Sequence, residues 1–272
     1  MERPEYESMY ELEDTHWWFV GRRRLAFSLI EEWISHGDEV KILDVGCGTG
    51  GNLQAMARYG RTFGLDISPI AVDFARRRPL PRLMQGSGLA LPYANNTFDV
   101  ITIFDVLYHR WITDDEDAMR ELYRALRPGG WLLITDSALP LLWSSHDELY
   151  QARQRYTLRK LRCKLETVGF EQCVCSYANM ILLPIFLVAR LTMDWLPLAG
   201  EIDRQGTFPG WLNRLLASLR GLEAGWLRRG GTLPVGSSLI CLSQKPDCQK
   251  RLANSAVNTR NNYKLKFIGT DP

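Results

Sequence analysis

The run Asp44-Val45-Gly46-Cys47-Gly48-Thr49-Gly50-Gly51 is where residue type and spacing first point to chemistry. Its glycines satisfy G-x-G-x-G and, with Gly51, also G-x-G-x-x-G, the second being the dinucleotide fingerprint. Both patterns use glycine for one reason. The backbone must turn sharply and come close to a ligand with no Cβ in the way. Asp66 lies about 20 positions beyond Gly46, at the end of the next apolar run, where a carboxylate can accept hydrogen bonds from ribose hydroxyls. A nucleoside-bearing ligand satisfies both features. A surface turn is the plain alternative for Asp66.

A second stretch, Asp14-Thr15-His16-Trp17-Trp18-Phe19-Val20-Gly21-Arg22-Arg23-Arg24, sets three aromatic residues shortly before three arginines. Two readings are open. In one, the aromatics staple the first helix to the core and the arginines are solvated. In the other, Trp17, Trp18 or Phe19 covers a cationic centre of the ligand, because aromatic faces attract cations. An arginine such as Arg22 then grips a carboxylate, which it can do with two parallel bonds. Tyr108 and His109 follow a strong apolar run. A neutral imidazole there could take a proton from a hydroxyl or an amine; a structural helix-start histidine is the competing reading. His146-Asp147 is a further candidate, with the carboxylate orienting the imidazole, although adjacent residues seldom face each other. Arg153, Arg155 and Tyr156 either shape an acceptor pocket or solvate a helix. Six cysteines include one C-x-C, Cys173 and Cys175, with no histidine nearby in sequence. No metal site is expected from that spacing, and the thiols are expected to be reduced.

Elements must hold these residues in place. Residues 22–36 carry Leu25, Leu29, Ile30, Trp33 and Ile34 at helical spacing and stop at Gly37-Asp38. Residues 40–45 read as a strand entering the glycine turn, and 52–59 as the helix leaving it. A second strand spans 62–67, and Ser68-Pro69 opens a helix by the cap-then-proline signal. Strands follow at 82–85 and 98–106, then a helix at 114–126 stopped by Arg127-Pro128-Gly129-Gly130, then a strand at 131–135. Strand and helix alternate at least four times, the pattern of a parallel, doubly wound sheet. Ligands of such sheets sit at the carboxyl ends of the strands. Further on, 158–168 reads as helix, 171–176 as strand, 179–233 as apolar helix broken by Pro184, Pro197 and Pro209, and 234–243 as the last strand.

Composition narrows the class. The 272 residues are 46% apolar and 24% charged, which suits one domain with an embellishment. Basic residues number 33 and acidic 31, so nothing suggests nucleic-acid binding, which needs clustered positive charge. The slight positive excess sits in residues 246–272, which hold few large apolar side chains and read as a flexible basic tail. The first residues, MERPEYESMYELED, lack the apolar core of a signal peptide. The longest apolar run, Met180 to Ala189, falls short of the roughly 20 residues a membrane span needs. A cytoplasmic protein is expected, with peripheral membrane contact left open for that run and no obligate protein partner.

Asp44 separates the candidate cofactors. A carboxylate inside the first strand is costly unless something donates to it. An α-ammonium group or the turn amides can do so, whereas a pyrophosphate is repelled and favours a bare helix N-terminus. Here the chain resembles the class I S-adenosylmethionine-dependent methyltransferases, in particular the small-molecule group called type 11. Four segments in order carry the resemblance: Ile42 to Gly50, Gly64-Leu65-Asp66-Ile67-Ser68, Leu91-Pro92-Tyr93 through Asn96-Thr97-Phe98-Asp99-Val100, and Leu126-Arg127-Pro128-Gly129-Gly130-Trp131-Leu132.

The resemblance implies an α/β, Rossmann-like, doubly wound sheet of seven strands in the order 3-2-1-4-5-7-6. The last strand is antiparallel, and a helical insertion precedes it. It divides the chain into a methyltransferase domain over 1–245 and the tail. That domain comprises an aromatic and basic cap with its helix (1–39), a cofactor-binding core (40–136) and an apolar lid (177–233). S-adenosylmethionine is expected against Asp44, Gly46, Cys47, Gly48, Thr49, Gly50, Asp66, Ile67, Ser87, Gly88, Phe104 and Asp105, with Trp18 and Arg22 covering it. Such proteins usually carry an acidic residue after the third strand. Gln85-Gly86-Ser87-Gly88 sets a serine there, whose hydroxyl can still accept a hydrogen bond from the adenine amine.

The implied activity is methyl transfer to a small acceptor, apolar or amphiphilic because the lid is rich in Leu, Ile, Phe and Trp, Trp195 among them. His109, Tyr108 and His146 are the catalytic candidates. Positioning alone can supply about 7–11 kcal/mol of the barrier, so no general base is strictly required. Two rival readings stand beside it: a nicotinamide-dependent oxidoreductase, resting on Gly46, Gly48 and Gly51, and a protein that binds S-adenosylmethionine without turnover, resting on Ser87.

Overall fold

In β1 (Lys41–Val45) and β4 (Phe98–Phe104) almost every side chain is buried, as expected of strands covered on both faces. The two run parallel, with Ile42 opposite Val100 and Val45 opposite Ile103. The structure is a computed structural model that describes residues 1–192 and 208–247. β2 (Arg61–Asp66) pairs with the other side of β1, and β3 (Leu83–Gln85) with β2. β5 (Leu126–Ser137) pairs with β4. The last strand, β7 (Ser238–Gln244), inserts antiparallel between β5 and β6 (Glu171–Ala178). The sheet order is β3-β2-β1-β4-β5-β7-β6, as expected from the four segments.

Helices in chain order are α1 (Arg3–Leu12), α2 (Trp17–Trp33), α3 (Gly51–Met56), α4 (Pro69–Ala75), α5 (Asp115–Ala125), α6 (Ser145–Leu149), α7 (Leu158–Val168), α8 (Leu183–Thr192) and α9 (Gly210–Arg228). Successive strand residues face opposite sides of a sheet, so Leu43 and Ile42 feed two different cores. Leu43, Ile101 and Leu132 pack with Leu122 of α5 and Leu161 and Leu165 of α7. Ile42, Val100 and Leu133 pack with Leu25 and Leu29 of α2, Leu53 of α3 and Leu227 of α9.

Local signals set the helix starts. The Ser68 side chain accepts from the Ala71 N–H with Pro69 in the first turn. Asp114 accepts from the N–H groups of Glu116 and Asp117, and Thr157 from that of Lys160. Each cap satisfies an otherwise orphaned amide.

The main departures from the sequence reading have physical reasons. α2 begins at Trp17 rather than at residue 22, because His16 accepts from the Trp18 N–H and Trp17 and Phe19 are buried. α1 is an additional helix, its Tyr6 packed on Ala71 and Phe74 of α4. β4 stops at Phe104, because Asp105 takes a left-handed φ of 55°. Arg127-Pro128-Gly129-Gly130 lies inside β5 as an irregularity between the pairs Phe98–Leu126 and Val100–Trp131. β7 starts at Ser238, four residues after Pro234, and pairs with both neighbours from there. Of the expected lid, residues 193–207, including Trp195, lie outside the described residues; so do residues 248–272 of the expected tail.

Leu133 sits fully buried at the centre of β5. Leu133→Ala is expected to lower the unfolding free energy by about 2–5 kcal/mol, measured by urea denaturation. Loss of the α7 cap in Thr157→Ala is expected to cost only about 1 kcal/mol.

Candidate active site

β1 delivers the chain to the carboxyl edge of the sheet, where Gly46, Gly48 and Gly50 take φ of 74°, 55° and 87°. Side chains rarely adopt that region, and a Cβ on Gly46 would overlap Val106. Carboxylates clasp the turn from both sides. Asp66 accepts from the Gly48 N–H through one oxygen and from the Ser68 N–H through the other, each at 2.9 Å. Glu13, from the link between α1 and α2, accepts from the Thr49 hydroxyl at 2.5 Å and from the Gly51 N–H at 3.1 Å. Its charge is met by Arg78 at 2.7 Å. Asp44 accepts from the Thr102 hydroxyl at 2.6 Å. Burial pushes Asp44 up to about 7, opposed by the Thr102 bond and by Arg22. Burial also raises Asp66 and Glu13.

A cavity of about 440 Å³ opens on this turn. Gly46, Cys47, Gly48, Asp66, Ile67, Ser87 and Gly88 line one part. Trp17, Trp18, Phe19, Tyr108, His109 and Trp111 line another, and Phe104, Asp105 and Arg22 also face it. Asp44, Thr49 and Gly50 are absent from this wall. Asp44 and Thr49 are buried behind it, bonded to Thr102 and Glu13. Arg22 pairs with Asp105 through one terminal nitrogen, and its Nε has no hydrogen-bond partner among the described residues. Burial lowers Arg22 to about 10, and the neighbouring Arg23 adds to that.

His109 Nδ1 is likewise buried without a partner, while the backbone carbonyls of Gln151 and Tyr150 bond the ring. Burial takes this imidazole down to about 4, so it is neutral at physiological pH. Tyr108 stacks on it with ring centroids 4.3 Å apart, and burial raises the phenol well above its ordinary range. The side chain of His146 lies outside the described residues. Arg155 donates to both oxygens of the neighbouring Asp147, at 2.7 and 3.0 Å. That grip leaves Arg155 on the cavity wall with its charge already answered.

The sequence reading missed Glu13 and the contributions of Tyr6, Met9, Trp111, Ile112, Leu142, Tyr150 and Ser237 to the wall. Trp111 and Ile112 lie within three residues of His109, whereas Glu13, Tyr6, Met9, Leu142, Tyr150 and Ser237 come from other elements. Among the described residues no group of three His, Cys, Asp or Glu is placed to hold a metal.

Comparisons with known proteins bear on the fold and the domain. Residues 43–134 match the family described as a methyltransferase domain, type 11. The ubiquinone/menaquinone biosynthesis C-methyltransferase of Roseobacter denitrificans is 35% identical over 133 residues, 44% of this chain and 52% of that protein. Phosphoethanolamine N-methyltransferase 3 of Arabidopsis thaliana is 28% identical over 202 residues, 68% of this chain and 41% of that protein. The chain thus spans about half the length of the curated relatives it matches. A chain in the complex between the Haloferax volcanii Trm112 methyltransferase activator and a methyltransferase shares the fold. It aligns over 89% of this chain and 94% of its own, with a TM-score of 0.58 and 19% identity. The antiparallel β7 between β5 and β6 also departs from the 3-2-1-4-5-6 order of dinucleotide-binding sheets. Over residues 43–134 the chain matches the type 11 methyltransferase domain, and its strand order is the one that the four-segment resemblance to class I methyltransferases implied.

Proposed function

We propose that the protein transfers a methyl group from S-adenosylmethionine to a small amphiphilic acceptor. One observation carries this reading: a single cavity joins the glycine turn and Asp66 to an aromatic chamber that contains His109. The wall suits the donor. Gly46 and Gly48 keep Cβ atoms out of the turn, Asp66 retains unused lone pairs, and the buried Arg22 Nε lacks an acceptor. In this reading Asp66 and Ile67 hold the ribose, Ser87 and Gly88 face the adenine, and Arg22 receives the carboxylate. Phe104, Asp105 and Trp18 bound the methionine part. The bound donor supplies a methyl carbon activated by its sulfonium.

The chain does the rest by positioning. Trp17, Trp18 and Phe19 exclude water and favour positive charge nearby. His109 lines the cavity, is neutral and keeps a buried, unpartnered Nδ1, and in this reading an acceptor that reaches it gives up a hydroxyl or amine proton there. Tyr108 cannot serve as base with its phenol raised so far; it orients the imidazole by stacking. The relatives named above act, by their names, on quinone precursors and on phosphoethanolamine, which pairs a lipid-like and a polar acceptor with this domain.

Calorimetric titration with S-adenosylmethionine and S-adenosylhomocysteine tests the donor assignment. Saturable binding is expected, weakened at least about tenfold in Asp66→Ala, which loses both ribose acceptors. Binding of a nicotinamide dinucleotide instead would overturn the reading.

Asp44 adds a pH dependence with a definite sign. With a pKa of about 7 it is largely protonated below neutrality in the ligand-free protein. A cationic donor in the neighbouring cavity favours the carboxylate, so binding releases a proton. Donor affinity is therefore expected to rise from about pH 6 to about pH 8 and then level off. Asp44→Asn is expected to flatten that profile.

With an acceptor in hand, His109→Gln is expected to lower kcat on the order of a hundredfold while leaving the donor KM unchanged. An unaltered kcat would leave catalysis to positioning alone.

A further inference from the structure

α9 turns Ala217, Ala224 and Leu227 inward, yet it keeps a second apolar stripe on its outer face and buries two charged residues. A surface helix ordinarily turns its apolar stripe inward and its charges outward. Here Trp211, Leu215, Leu222 and Trp226 follow one another at helical spacing and are 63%, 49%, 67% and 55% exposed. The charged Arg220 and Glu223 face inward, at 1% and 3%.

Specific bonds hold this rotation. Arg220 donates to the Trp18 carbonyl at 3.1 Å and lies 4.8 Å over the Trp18 ring. Gly21 of α2 makes the room, since a Cβ there would sit 2.7 Å from Arg220 Cδ. Glu223 accepts from the N–H groups of Asn179 and Ile181 at 2.6 and 2.9 Å. Asn213 accepts from the Trp17 N–H at 3.0 Å. With Asn213, Arg220 and Glu223 all anchored, the outer stripe cannot roll inward without stranding a buried arginine and a buried glutamate.

The charge on the outer side has one sign. Arg214 and Arg228, with Arg229 just beyond the helix, are exposed. The single acid of α9, Glu223, is the inward one. Arg228 has an exposed partner, Glu32, at 3.9 Å. No acidic partner is found for Arg214 or Arg229 among the described residues. An exposed stripe of Trp and Leu flanked by exposed arginines is complementary to an anionic lipid surface, where Trp settles at the headgroup level and arginines meet the phosphates. No helix among the described residues is long and apolar enough to cross a membrane.

We propose that the outer face of α9 docks on an anionic lipid surface, with the helix lying along the headgroup boundary. The inner side of the same helix grips Trp17 and Trp18, which line the cavity. Docking therefore puts the aromatic chamber one helix diameter from the bilayer. Transfer of an acceptor from membrane to cavity rests on the amphiphilic-acceptor reading above; the docking itself does not.

Sedimentation of the full chain with vesicles tests the docking without any acceptor. Vesicles of phosphatidylcholine mixed with phosphatidylglycerol are compared with phosphatidylcholine alone. The wild type is expected to co-sediment with the anionic vesicles. Trp211→Ser combined with Leu222→Ser is expected to weaken this at least about tenfold, with the melting temperature unchanged because both side chains are exposed. Arg214→Glu is expected to weaken binding to the anionic vesicles specifically. Three results would each overturn the proposal: no binding by the wild type, binding indifferent to all these substitutions, or wild-type self-association in the absence of lipid that the double substitution abolishes. Calorimetry with S-adenosylhomocysteine on the same preparations reports on the donor site separately, so failure of docking and failure of the methyltransferase reading are distinguishable.

Discussion

The glycine turn after β1 has almost no side chains with which to hold its own shape, so the rest of the chain holds it with carboxylates. Asp66 fixes Gly48 from the β2 side, and Glu13 fixes Thr49 and Gly51 from the link between α1 and α2. Buried carboxylates are tolerated only when donors surround them, and each of these has at least two. The Glu13 contacts reach beyond the turn. They tie α1 and α2 to the first turn of α3, and α2 carries Trp17, Trp18, Phe19 and Arg22. The aromatic half of the cavity is therefore hung from the same turn that forms the other half.

Two buried arginines show how one residue type answers two needs. Arg220 has the Trp18 carbonyl and ring as company and serves to orient a helix. Arg22 lines the cavity and has a carboxylate partner in Asp105, yet keeps a buried Nε–H unmatched. The first arrangement is closed by the fold. The second is left incomplete by the described residues, and Asp105 sits where a left-handed backbone ends β4.

What could be read from the sequence was local. The glycines, Asp66 at the end of its strand, Ser68-Pro69 and the helix at 158–168 all announce themselves within a few residues, and each sits where that reading put it. The order of the strands was legible only through the four-segment resemblance, since the place of β7 depends on pairings far apart in the chain. Glu13 was not legible: its partners lie 36 and 38 positions away, and an acidic residue in an acidic segment carries no signal of burial. At Arg127-Pro128-Gly129-Gly130 the residues that ordinarily make a turn were absorbed as a strand irregularity, because Lys245 bonds both Gly129 and Gly130 through the backbone.

The position of β7 also has a consequence for how the chain is made. β5 is complete at Ser137, but its second neighbour begins at Ser238, roughly a hundred residues and on the order of ten seconds of synthesis later. Through that interval the nascent chain carries an open edge on β5, and β6 is left without its only partner strand. Open edges invite pairing with other chains. The segment that builds α8 and α9 sits inside that delay, so its length sets how long the ribosome-bound protein is exposed to misassociation, independently of anything that happens in the cavity.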